Sequence, residues 1–137
     1  MKRIRVWLGL GLVLLALAAC GSGPIREAYT AAGDATRPDD LTPTATFRPD
    51  DDLNVVVRLN SHSRRLPVQA VFRGPEGSQY ATDTLEASAT VNVVLLGLDW
   101  EAHGIAGWPT GTWQVDVLVD GETQTTLEFR VQPGTEG

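Results

Sequence analysis

The stretch TWQVDVLVDGETQTTLEFRV, residues 112–131, decides the fold. Trp113, Val115, Val117 and Val119 alternate with Gln114 and Asp116; Thr125, Leu127, Phe129 and Val131 alternate with Thr126, Glu128 and Arg130. Side chains along a strand point to opposite faces in turn, so each run predicts a strand with one face buried and one wet. Asp120-Gly121 between them is a hairpin signal, because both central residues of a type I′ turn need positive φ.

The same period recurs upstream. Leu53, Val55, Val57 and Leu59 form one apolar row, Val68, Ala70 and Phe72 a second, and Ala89, Val91, Val93 and Leu95 a third. Short strands near Thr44–Phe47 and Gln79–Leu85 bring the expected count to about seven. Turn residues separate the runs at Arg73–Ser78 and again at Gly104–Gly111. No window carries the apolar stripe of an amphipathic helix, so the expectation is an all-β antiparallel sandwich over residues 47–132, with a closed barrel as the alternative. A short tail, 133–137, follows.

The N-terminus reads differently. Lys2, Arg3 and Arg5 precede an apolar stretch from Val6 to Ala19. That is short of the roughly 20 residues a membrane-spanning helix needs, and it has the length of a signal-peptide core. The stretch ends in Leu17-Ala18-Ala19-Cys20, which resembles the lipobox of bacterial lipoproteins. The resemblance implies that Leu17, Ala18 and Ala19 are read by the signal peptidase and that 1–19 is removed. It also implies that Cys20 receives a diacylglyceryl group and becomes the new N-terminus. Cys20 is the only cysteine, so no disulfide within the chain competes for it. Two or more acyl chains, at about 0.8 kcal/mol per buried methylene, suffice for stable anchoring. Gly21 after the cysteine implies the outer membrane or the cell surface, in a cell with two membranes.

Residues 20–46 are rich in Gly, Ala, Thr, Pro and Asp and keep no period, which predicts a flexible linker reaching roughly 25–30 Å, with a helical turn or two over Ile25–Ala32 as the alternative. Removal of Lys2, Arg3 and Arg5 leaves eight arginines against 17 acidic residues, a net charge of −9. A chain so acidic offers no basic stripe for phosphates, so no nucleic acid is expected as a partner.

The segments Trp108-Pro109-Thr110-Gly111-Thr112-Trp113, Asp120-Gly121 and Leu127-Glu128-Phe129-Arg130-Val131, with Val71–Gly77 upstream, resemble immunoglobulin-like domains of bacterial envelope lipoproteins. The resemblance implies an immunoglobulin-like sandwich and leaves function open, since such folds host many roles. Trp113 stands where those domains carry a tyrosine, so an indole N–H replaces the hydroxyl that bonds back to the main chain.

Candidate sites are few. Trp100, His103 and Trp108, near one end of the expected sandwich, could present aromatic faces and an imidazole to a glycan or metal. Asp50-Asp51-Asp52 lacks the spacing of a calcium loop, and a copper or zinc site would need both histidines, His62 and His103, and carboxylates brought together by the fold, so no metal or other cofactor is expected. Ser61-His62-Ser63 sets hydroxyls beside an imidazole without a nucleophile elbow, and no catalytic residue is assigned. The expectation is therefore a lipid-anchored, non-enzymatic module at the cell envelope, with the membrane and a second envelope protein as partners. A small-ligand-binding lipoprotein is the alternative.

Overall fold

The computed structural model describes residues 23–34, 36–98 and 107–134. Among them are ten strands, one short 3-10 turn at Pro38–Asp40 and no α-helix. The strands are β1 (Ile25–Ala32), β2 (Thr42–Pro43), β3 (Thr46–Phe47), β4 (Leu53–Leu59), β5 (Leu66–Arg73), β6 (Gln79–Ala81), β7 (Leu85–Ala87), β8 (Val93–Leu96), β9 (Gly111–Val119) and β10 (Glu122–Val131). They make two sheets rather than a closed barrel. One has the order β2-β1-β4-β8; the other runs β3-β10-β9-β5-β6, with β7 also on β5.

The deciding stretch forms the hairpin its pattern predicts. Val119 pairs with Glu122 across a turn in which Asp120 has φ 57° and Gly121 φ 80°. Trp113, Val115, Val117 and Val119 are buried and so are Phe129 and Val131, while Gln114, Asp116 and Glu128 face outward. The core between the sheets joins these to Val55, Val57, Val68, Ala70, Phe72 and Leu96. Every ladder is antiparallel except one. Thr46–Phe47 lies parallel to Arg130–Val131, so the sheets are mixed rather than purely antiparallel.

Three expectations need correction. Residues 25–32, assigned to a flexible linker or a helical turn, form β1, which pairs with β4 from Ile25↔Leu59 to Ala32↔Leu53. The strand was masked by a register shift between Ile25 and Glu27, where Arg26 and Glu27 are both exposed, and by the burial of the consecutive Thr30 and Ala31, which together erase a period of two. The sandwich therefore reaches back well before residue 47. The strand placed at 89–95 is β8, and its phase is inverted: Val94 and Leu96 are buried, whereas Val91 is exposed. Four consecutive apolar residues, Val93 to Leu96, give alternation nothing to choose between. The single strand near 79–85 is two, with β6 and β7 both on β5.

The outer face of the four-stranded sheet explains that ambiguity. Ala31, Leu41 and Val56 form a second buried cluster there, flanked by Tyr29, Val93 and Leu95. Leu41 is set over the sheet by the Pro38–Asp40 turn, whose Pro38 carbonyl accepts the Leu41 N–H at 3.1 Å.

Candidate functional site

Of the three candidate contact residues, Trp108 alone lies among the described residues; Trp100 and His103 lie outside them, as do Leu17, Ala18, Ala19 and Cys20. Trp108 is 3% exposed, which corrects its reading as a ligand contact. Its N–H donates to the Pro49 carbonyl at 2.9 Å, and Gly107 before it is required because a Cβ there would stand 2.6 Å from that same oxygen. The chain is thereby pinned so that the indole drops inward. It meets Phe72 and Trp113 at ring-centroid separations of 5.2 Å and Phe129 at 5.6 Å, the last two edge-on, a favoured aromatic geometry.

Trp113 completes this plug. It is fully buried, stacked on Phe129 at 5.9 Å, and its Nε1–H donates to the Pro109 carbonyl at 2.8 Å. The indole thus makes the back-bond to the main chain expected of it. Gly74 admits the ring, since a Cβ at that position would come within 2.9 Å of Trp113 Cη2. Nothing in the plug offers a free aromatic face.

Above the plug lies an open cleft of about 210 Å³ lined by Gly33, Asp34, Asp51, Asp52, Asn54 and Trp108. Two of its polar side chains are turned to the fold itself. Asp51 Oδ2 accepts the Arg48 N–H at 2.8 Å, and Asn54 Nδ2–H donates to the Gly33 carbonyl at 3.0 Å. Among the described residues no three carboxylates or imidazoles converge as a metal-binding group. His62 sits at the other end of the sandwich. Its Nδ1 lies 2.8 Å from the Arg64 carbonyl and its Nε2 3.0 Å from that of Val91, so both nitrogens are turned to main-chain oxygens.

One polar cluster escaped the sequence reading. On the outer face of the six-stranded sheet, Arg73 Nη2 and Nε donate to Asp116 Oδ1 and Oδ2 at 2.8 and 3.1 Å, and the Thr126 hydroxyl donates to Oδ1 at 2.7 Å. Partial burial pushes the Asp116 carboxyl up, but the hydrogen bonds from Arg73 and Thr126 outweigh it and hold the group below the usual aspartate range. The same bond raises Arg73. All three residues occupy the polar half of the alternation. Their meeting depends on strand register, which no single strand displays.

No protein-family model matches the chain, and no curated protein matches its sequence. Among solved structures, the Pseudomonas fluorescens alkylpurine DNA glycosylase AlkC, bound to DNA containing an abasic site analog, is similar at 16% identity with a TM-score of 0.46. The match covers 86% of this chain and 33% of that protein, so the chain spans about a third of its length. That neighbour is an enzyme held on DNA. Against it stand the expected roles of a non-catalytic interaction or structural module and of a small-ligand binder, the expected lack of enzymatic activity and the expected lack of a nucleic-acid partner, and none of these is carried further. The last of them rested on net charge, which describes a whole chain and not any one face. A likeness of this grade carries no argument for glycosylase chemistry or DNA binding here.

Proposed function

We propose that the chain is an exported lipoprotein, acylated on Cys20, that holds an immunoglobulin-like β-sandwich at the surface of a bilayer. The observation that carries the reading is Leu17-Ala18-Ala19-Cys20 at the end of a signal-type apolar stretch, a few residues before the first strand. The immunoglobulin-like assignment draws support from the two-sheet core, from the passage of the chain between sheets from β2 to the parallel β3, and from the Trp113 back-bond at the corner. Gly21 favours the outer membrane or the cell surface.

Replacing Cys20 by Ala tests the anchor. The variant is expected in the soluble fraction, without incorporated lipid label, while the parent stays with membranes. Retention of Cys20→Ala in the membrane fraction would sink the assignment.

A further inference from the structure

We infer that the sandwich stands end-on to the bilayer, with the end that carries Asn60–Arg65 and the Asp120–Gly121 turn against the lipid headgroups and the Trp108 end pointing away. The inference rests on acylation of Cys20. What the structure adds is how soon after Cys20 the chain becomes part of the fold. The Gly23 carbonyl accepts a hydrogen bond from Asn60 Nδ2 at 2.7 Å, and the Pro24 carbonyl accepts the Asn60 N–H at 2.9 Å. A Cβ on Gly23 would lie 3.1 Å from the Gln124 side chain, so β10 closes on the same point. Three Cα steps of 3.8 Å separate Cys20 from Gly23, a reach of about 11 Å when fully extended.

Strand directions then place everything else. Ile25 pairs with Leu59, Asp120 N–H donates to the Pro67 carbonyl, Arg64 bonds Asp120, and Val91 meets His62. All of these share the Gly23 end. Gly33, Asp52, Gly74, Gly111 and Val131 share the opposite one. The nine residues of β9 run from one end to the other, so at about 3.3 Å per residue the far end stands roughly 27 Å further out.

The proximal end fits a headgroup surface. Its loops are polar, and Arg64 and Arg65 project there in exposed pairs with Asp120 and Glu86. Leu85 and Val91, the exposed large apolar residues among those described, both lie in this half, Leu85 opposite Val68 and Val91 beside His62. They give that edge a shallow apolar contact for the headgroup boundary.

The test uses the full chain, processed and lipidated in cells and then reconstituted in phosphatidylcholine–phosphatidylglycerol vesicles containing a nitroxide-headgroup lipid. Single cysteines replacing Ser63 at the near end or Glu76 at the far end carry a fluorophore. Quenching several-fold stronger at 63 than at 76 is expected. Inserting a ten-residue Gly-Ser spacer after Ser22 should erase the difference. Equal or reversed quenching in protein shown by mass to carry lipid on Cys20 would overturn the orientation alone, and protein lacking that lipid would overturn the anchor and the orientation together.

Discussion

The two sheets bury similar inner faces and differ on their outer ones. The six-stranded sheet turns Gln69, Gln114, Asp116, Thr126 and Glu128 outward, so its strands read largely as apolar and polar in turn, with Val71 and Leu118 as apolar exceptions on the half-exposed back. The four-stranded sheet carries the Ala31, Leu41 and Val56 cluster on its back, and Val55, Val56 and Val57 are all fully buried in consecutive positions. Alternation reports which side of a strand meets water. Where neither side does, the pattern is silent about phase.

That contrast can be broken first at the shared core. Trp113→Ala empties the aromatic plug and leaves the Pro109 carbonyl without its donor, so a loss of about 3–5 kcal/mol is expected in denaturant unfolding. A value near that of a surface substitution would mean that the plug is not part of the core. The outer faces are compared next. Val56→Thr places a hydroxyl in the second cluster and should cost about 1–3 kcal/mol. Leu118→Thr, on the half-exposed back of the six-stranded sheet, should stay within about 0.5 kcal/mol. Equal costs would erase the distinction between the sheets.

Smaller effects sharpen the six-stranded side. Gly121→Ala puts a side chain at φ 80° in the hairpin turn and should cost about 1 kcal/mol, read as a lower midpoint at unchanged m-value. Acid titration should show the least. Because the folded state holds Asp116 below its ordinary value, its contribution is present above roughly pH 4 and is lost as pH falls through the lowered folded value. Asp116→Asn should therefore flatten the acid limb of a stability–pH curve below pH about 4 and leave its shape at neutral pH unchanged. An unaltered acid limb would show that the Arg73 and Thr126 bonds do not tune this carboxylate.

The legible parts of the molecule are those with one wet face or a demanding turn. Trp113–Val119, the Asp120-Gly121 corner and the Phe129–Val131 end announce their strand, phase and partner in local sequence. The same locality hides the rest. β1 exposes the consecutive Arg26 and Glu27, buries the consecutive Thr30 and Ala31 and shifts register between Ile25 and Glu27, so Ile25–Ala32 reads as linker composition. The inward turn of Trp108 depends on the contact of Gly107 with Pro49, 58 positions away in the chain, which no local pattern records. The Arg73–Asp116 pair likewise exists only once β5 and β9 are in register. The candidate residues Trp100 and His103 and the acylation motif at Cys20 lie outside the described residues, so their reading still rests on sequence.

The directions of β1 and β10 have a mechanical consequence. Ile25 leaves the sandwich at one end and Val131 at the other, and both strands are held by long antiparallel ladders, to β4 and β9 respectively. Tension between a fixed point before β1 and a load on the far side of Val131 acts along the strand axes, perpendicular to the inter-strand hydrogen bonds. Such a load must shear many bonds at once instead of peeling them one by one. The domain is thus built to resist being pulled lengthwise far better than being unzipped from its short β2 or β8 edges.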